Sequence, residues 1–446
     1  MQATLTYFHS IQSMKYQAPI KKIGIYAFYS YITLRLSQMP EQFLHGVEVV
    51  EIVEIDSGPR PIRTVRSSVI GLIGTAPDAD DDQFPYHTPI LIAGKRSEAA
   101  GLGRDGTLPA AIDDIFDQTG AMIVLIRVPD WFDEEEEWPS FEEEFEGPWL
   151  PNVRQIIGGI DDETGQYLGI QGFLAAENEV HVTPRILITP EFSQHPAVAN
   201  ELLSIAERLR AVVIADGPNY NDEKVIDYRQ MFGSSRLYLV DPWVRVWDAE
   251  DNVEVIRPAS ARVAGLIAKS DAERGFWWSP SNREIRGLMG TARSIDFALG
   301  DTNARANFLN ENEVATIIQK DGFRLWGNRS CSADPKWAFL SVRRTADMIN
   351  ESLLRAHMWA VDRNITKTYI EDVLEGVNAY LRHLRTVGTI INSQAWADPE
   401  LNTPDQIAQS RVYIDFDFTP PYPAEHITFR SHLVNDYLVE ILPDAT

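Results

Sequence analysis

The side chain best suited to covalent chemistry occurs once in this chain. It is Cys331, within "GFRLWGNRSCSADPKWAFLSVRR" from Gly322 to Arg344. Arg324, Arg329, Arg343 and Arg344 flank it in sequence. Neighbouring cations lower a thiol's pKa, and the thiolate is a nucleophile. Catalysis would also require a base within hydrogen-bond reach, and His357 is the histidine placed to supply one. The competing reading is packing, since a lone cysteine usually behaves as a small buried hydrophobe. The residues favour packing.

Other chemistries fare worse. "GLGRDG", Gly101 to Gly106, matches G-x-G-x-x-G letter for letter. That motif binds phosphate only where the glycines leave a strand directly and open a helix. Here "GKRSEAA" intervenes after the apolar run Pro89 to Ala93, so a glycine-rich turn is expected. The nine histidines are dispersed and the cysteine has no partner, whereas zinc needs clustered ligands. No G-x-S-x-G elbow, Walker loop or H-E-x-x-H occurs. No catalytic, cofactor-binding or metal site is therefore expected. "WFDEEEEWPSFEEEFEGPWLP", Trp131 to Pro151, holds nine acidic residues and no basic one. It lacks the ordered spacing and turn glycine of a calcium loop and reads as a solvated excursion.

The elements that would position these residues are legible from periodicity. "VEVVEIVEI", Val47 to Ile55, alternates as an extended strand does. "SSVIGLIGTAP" and "AMIVLIRV" are continuous apolar runs, as expected of strands covered on both faces. A strand–helix rhythm continues through "PRILITP", "PAVANELLSIAERL", "AVVIADG", a helix near Val225 to Phe232, and "RLYLVDP". It predicts an α/β domain. Ala259 to Arg274 reads as a helix ending at Gly275. Pro335 to Val361 carries a helical apolar stripe through Phe339, Val342, Ala346, Ile349, Leu353, Ala356 and Ala360. A capping box at Thr368 to Glu371 opens a further helix ending at Gly388. "RVYIDFDFTP" alternates as a strand, and the tail "NDYLVEIL" is strand-capable, so a second, α+β domain is expected.

Size and charge bound the rest. At 446 residues the chain suits two or three domains. Its net charge of −25 argues against a nucleic-acid partner, whose phosphates require a basic surface. The first 38 residues hold no Asp or Glu and include "KKIGIYAFYSYITL". That run is too short and too rich in tyrosine for a membrane helix, and no cleavage site follows it. Met39 is expected to be the natural start, with residues 1–38 an extension outside the fold.

"DGFRLWGNRSCSADPKWAFLSVRRTADMI" resembles the C-terminal core motif of contractile phage tail sheath proteins, notably those of temperate myophages. "SGPRPIRTVRSSVIGLIGTAPDAD", "AGLIAKSDAERGFWWSPSNREIRG", "AHMWAVDRNIT" and "RVYIDFDFTPPYPAEHITFR" are similar to that family too, in order, from about His45 to the C-terminus. The resemblance implies a structural protein without catalytic residues. It implies hexameric rings of this chain stacked helically around an inner tail tube protein, contacting baseplate and tail terminator proteins. It places the protein in a virion tail assembled in the bacterial host cytoplasm. The implied fold is a multidomain sheath: an N-terminal arm at 39–63, an outer α/β domain at 64–280 with the acidic loop 131–151, and an inner α+β C-terminal domain at 281–446.

N- and C-terminal strand arms would each pair with a neighbour's sheet. The candidate intersubunit residues are Val47, Val49, Ile52 and Ile55, with Tyr437, Val439 and Ile441. Seven basic against four acidic residues between Arg324 and Arg363 suggest a basic face towards the tube, the alternative being that some of the arginines, Arg324 and Arg329 above all, pair internally. Arg382 and Arg385 on the following helix are the tube-facing candidates. The alternatives left open are an α/β enzyme of unknown activity, and the sheath of a defective prophage or bacteriocin-like particle.

Overall fold

The computed structural model describes residues 62–130 and 150–441. Residues 1–38, the strand expected at Val47 to Ile55 and most of the acidic stretch lie outside them.

Eight strands form the central sheet. They are β1 (Ile70–Thr75), β2 (Ile90–Ala93), β3 (Met122–Val128), β6 (Ile186–Ile188), β7 (Val212–Asp216), β8 (Leu237–Val240), β12 (Val314–Gln319) and β13 (Phe323–Trp326). Their order is β13-β12-β8-β7-β6-β1-β3-β2. The six inner strands are parallel, and an antiparallel strand closes each edge. Two smaller sheets accompany it: β4 (Gly159–Ile160) paired with β5 (Tyr167–Leu168), and a three-stranded sheet with β9 (Val244–Asp248) between β10 (Val253–Arg257) and β11 (Gly290–Thr291).

The apolar runs are continuous because both faces are covered. Ile70, Leu72, Ile123, Leu125, Val212 and Ile214 pack under α1 (Thr107–Phe116) and α6 (Ser260–Arg274). Ile73, Val124, Ile126, Val213 and Leu239 face the other way. They meet α4 (Pro196–Leu209), α5 (Asp222–Gln230) and α7 (Arg305–Glu311). Two short helices, α2 (Leu150–Ile157) and α3 (Ala176–Glu179), lie between β3 and β6 in the chain. The Asn221 side chain caps α5 by accepting from the Lys224 N–H at 2.8 Å, and Gly275 ends α6 at φ +104°.

The remaining chain builds a second core. α8 (Leu340–Ala356) and α9 (Lys367–Thr386) precede the antiparallel pair β14 (Asn392–Ala397) and β15 (Ile414–Thr419). Ile349, Val373, Val377, Tyr380, Leu381, Leu384 and Ala395 form this cluster, with Phe416 and Phe418 against it. A short helix, α10 (Pro404–Ala408), lies in the connection.

Three expectations change. The division at 280/281 cuts through the sheet, because β12 pairs in parallel with β8 and β13 follows it. The apolar residues of β12 have their partners in the earlier strands, and local composition does not report that. The long stripe from Pro335 to Val361 is a 3-10 turn, then α8, then a second 3-10 turn. Phe339 breaks it with an extended backbone. The cap of α9 is Thr366, whose hydroxyl accepts from the Tyr369 N–H at 3.1 Å, rather than Thr368. The tail Tyr437 to Leu442, expected to be a strand only against a neighbouring subunit, is in the single chain a 3-10 helix over Asp436–Ile441. No strand lies beside it among the described residues, so its backbone bonds locally.

Candidate functional site

Cys331 is fully buried, 0% exposed, in the layer that contains Tyr228, Phe232, Leu309 and Val314. Its N–H donates to the Leu237 carbonyl at 2.9 Å, tying the segment after β13 to the start of β8. Burial pushes the thiol up to about 12, against a weaker opposing pull from Arg229. At neutral pH it is a thiol, not a nucleophile. His357 is engaged elsewhere, at the end of α8, with Nδ1 2.7 Å from the Leu353 carbonyl. The glycine stretch is likewise structural. Thr75 and Thr107 exchange N–H to hydroxyl bonds of 3.1 and 3.3 Å, sealing the start of α1 against the end of β1. Gly106 has φ +94°, and a Cβ there would overlap the Thr75 carbonyl. The chain itself fills the place a phosphate would need.

The arginines around Cys331 build a joint, and α8 is its beam. Arg344 grips Asp271 of α6 with both terminal nitrogens, at 2.8 and 2.5 Å, and also donates to the Ser67 carbonyl ahead of β1. Three residues on, Asp347 accepts two bonds from Arg236 at the start of β8, at 2.6 and 3.0 Å, and two from Arg343. One turn further, Glu351 meets Arg185 at 2.8 Å, Arg210 at 3.5 Å and Arg355 at 2.9 Å. Residues 344, 347, 351 and 355 share one helix face by their spacing. That face is bolted to α6, β8 and the segment leading into β6. Ile349 and Leu353 belong to the second core, with α9. One helix thus couples the two cores through charge-assisted, bidentate bonds, the stronger kind of hydrogen bond.

Internal pairing, the alternative weighed for Arg324 and Arg329, is what the structure shows, although the sequence did not name the partners. The basic excess over 324–363 is largely consumed internally. Arg329 pairs with Glu425 at 2.7 Å, and Arg324 donates to the carbonyls of Lys320 and Asn282. Asp271, Arg236 and Arg185 were missed. Only the regular charge spacing on α8 hinted that some partner existed.

The surfaces left open are of a different kind. β14 and β15 pair only with each other, so each has an outer edge without a strand partner among the described residues. A cleft of about 440 Å³ opens beside β15, lined by Trp337, Val342, Phe416, Phe418 and Tyr422 among others. Asp417 and Thr419 line it too. Because consecutive strand residues point to opposite faces, the cleft lies on the strand's edge. Beyond Thr419, residues 420–435 have no helix or strand. There Phe429 and Leu433 are 91% and 97% exposed. Of the tail candidates, Tyr437 is 69% exposed, and Val439 and Ile441 belong to the 3-10 helix. Val47, Val49, Ile52 and Ile55 lie outside the described residues. Arg382 and Arg385 are exposed on α9.

This architecture has named relatives. The chain matches the phage tail sheath protein central domain over residues 167–331 and the phage tail sheath C-terminal domain over 332–433. Residues 67–128 match the tail sheath protein Gp18 domain III N-terminal region. A putative prophage major tail sheath protein of Pseudomonas aeruginosa (strain UCBPP-PA14) is 42% identical over 404 residues, 90% of this chain and 100% of that one. The tail sheath protein of Escherichia phage P2 is 38% identical over 400 residues, 89% of this chain and 97% of its own. Among solved structures, the contracted helical sheath of the anti-feeding prophage aligns with a TM-score of 0.64. It does so at 18% identity, over 87% of this chain and 99% of that one. The contracted sheath complex of an extracellular contractile injection system, PVC, gives 0.63 at 15% identity, over 87% and 98%. These two speak for the fold. The two sequence relatives, each alike along about nine-tenths of this chain, go further: the chain belongs to the contractile tail sheath family.

Proposed function

We propose that this chain polymerises helically, as stacked hexameric rings, around an inner tail tube and contracts to drive that tube through a host cell envelope. The observation that carries this reading is the C-terminal module: a two-stranded sheet whose two edges have no strand partner among the described residues, beside an extended tail with exposed Phe429 and Leu433. Open edges invite a strand from another chain. The arm at 39–63, through Val47, Val49, Ile52 and Ile55, and the tail, through Tyr437, Val439 and Ile441, are the donors. The tail would exchange its 3-10 turn for a strand once a neighbour's edge is present. A heterologous contact of this sort, repeated without closing, yields a helical polymer.

In this reading the sheet-bearing region faces outward and the α8–β15 region faces the tube, with Arg382 and Arg385 as contacts. Baseplate and tail terminator proteins cap the polymer's ends in a virion tail assembled in the host cytoplasm. The role is structural rather than enzymatic. Kinship to a prophage protein at 42% identity favours a second reading of the particle, a defective prophage or bacteriocin-like tail. Capsid and terminase genes beside this one would decide against it.

Electron microscopy tests the proposal. Purified protein should form tubes with a helical repeat. A variant lacking residues 39–56 should remain a soluble, folded monomer and form none. Normal tubes from that variant would remove the N-terminal arm from the assembly.

A further inference from the structure

We infer that the exposed face of α9 reads the direction of the tube through a split of charge along its length; this rests on the tube-facing role proposed for Arg382 and Arg385. The N-terminal half of α9 exposes Glu371, Asp372 and Glu375, and the C-terminal half exposes Arg382, His383 and Arg385. The opposite side, Val373, Val377, Tyr380, Leu381 and Leu384, is buried. At about 100° per residue, Glu371, Glu375, Arg382 and Arg385 fall in one stripe about 80° wide. Roughly 20 Å of helix separates its first carboxylate from its last guanidinium, at about 1.5 Å per residue.

The helix itself accounts for only part of this arrangement. Glu371 and Glu375 are like charges four residues apart, and Asp372 with Glu375 and Arg382 with Arg385 are like charges three apart. Such pairs disfavour a helix. The macrodipole rewards Arg385 and His383 in the last turn but acts only over the terminal turns. The first turn of α9 has no acidic residue, and the three carboxylates lie beyond it. Glu371 has an exposed neighbour in Lys367 at 3.6 Å. Asp372, Glu375, Arg382 and Arg385 enter no ion pair among the described residues.

Four exposed charges with no ion pair among the described residues, and a fifth, Glu371, held only by exposed Lys367, fit a partner that supplies the opposite signs. That partner presents cations opposite Glu371, Asp372 and Glu375, and carboxylates opposite Arg382 and Arg385, about one helix length apart along its axis. A rod of identical subunits has a direction, so it offers this order one way round only. The reversed approach sets like charge against like, which is costly at an interface. A uniformly acidic tube would engage the arginines alone and be repelled by the other half.

The two partners give opposite results when the carboxylates are neutralised. Sheath subunits would be co-sedimented with tube polymers of the same particle, comparing Glu371→Gln with Glu375→Gln, and Arg382→Glu with Arg385→Glu. Each double variant should reduce retention about fivefold, the scale of two exposed pairs, and less so at high salt. The unassembled Glu371→Gln/Glu375→Gln subunit should keep its Tm, since the lost Lys367–Glu371 contact and the removed Glu371–Glu375 repulsion are of similar small size. Lost retention is then not misfolding. Retention unchanged or raised by the glutamines, with the arginine reversal still weakening it, overturns the direction-reading inference alone. No effect from the arginine reversal overturns the tube-facing reading, and this inference with it.

Discussion

At position 331 a thiol sits among arginines and none of them activates it. Guanidinium groups act on a thiol through proximity in space, and here burial outweighs the pull of Arg229. At pH 8 a thiol raised to about 12 is ionised to roughly one part in ten thousand. Iodoacetamide should therefore leave native protein unlabelled over hours and label it at once in guanidinium chloride; rapid native labelling would contradict the burial. Asp216 is the second residue whose surroundings dominate. It ends β7, fully buried, and accepts from the Ser260 N–H at 2.8 Å, the Ser260 hydroxyl at 2.5 Å and the Ser193 hydroxyl at 3.2 Å. Burial raises its pKa to about 6, and these bonds offset that only in part. Between its unfolded value near 4 and about 6 the folded state holds the extra proton, so stability falls as pH rises through that window. The effect is on the order of 3 kcal/mol. Asp216→Asn cannot titrate, so its stability relative to the wild type should improve by that order from pH 4 to 7 in denaturant unfolding. A difference independent of pH would mean Asp216 titrates as an ordinary carboxylate.

Among elements, α8 carries the most consequence for its length. Its charged face holds the earlier sheet and helices while its apolar face belongs to the second core, so the two cores are joined through one helix. Removing one partner of a buried ion pair strands the other and costs about 3–5 kcal/mol. Asp347→Ala removes both bonds of Arg343 and two of Arg236, which keeps Glu207 at 2.9 Å and the Ala211 carbonyl at 3.0 Å, and should therefore cost about 3 kcal/mol, the lower end of that range, in chemical denaturation. Glu371→Ala on the exposed side of α9 should cost well under 1 kcal/mol. A similar small loss for both would show that α8 does not depend on its ion pairs. The β14–β15 pair makes the complementary point: two strands alone are marginal, and here α9 covers one face while both edges wait.

For the whole molecule, the central sheet refuses the boundary that composition suggested. The chain returns at β12 and β13 to extend a sheet begun some 240 residues earlier, so a fragment ending at residue 280 would leave the β8 edge bare. The acidic stretch 131–151 bears the opposite expectation. It has nine carboxylates and no cation of its own, and a run of like charges favours solvent. Replacing it with a short Gly/Ser linker should preserve folding, assembly and contraction, as judged by microscopy of extended and contracted particles. Loss of folding would assign it a structural role.

What the amino-acid order determined by itself is whatever rests on neighbours in sequence. Continuous apolar runs such as 122–128 marked strands covered on both faces, and the stripe through Ile349 and Leu353 marked α8. The motif around Cys331 pointed to the family that the relatives bear out. Even there local reading slipped by two residues at the cap of α9, because Thr366 and Thr368 are both capable and only backbone geometry chooses between them. Tertiary structure decided the rest. It buried Cys331 and so silenced its arginines, and it supplied Asp271 and Arg236 as partners for α8 across 73 and 111 residues. It also joined β12 to β8, and left the tail a 3-10 helix where no strand stood beside it. Each of these depends on which distant groups share a dielectric or a hydrogen-bond distance, and periodicity along a chain carries no record of that.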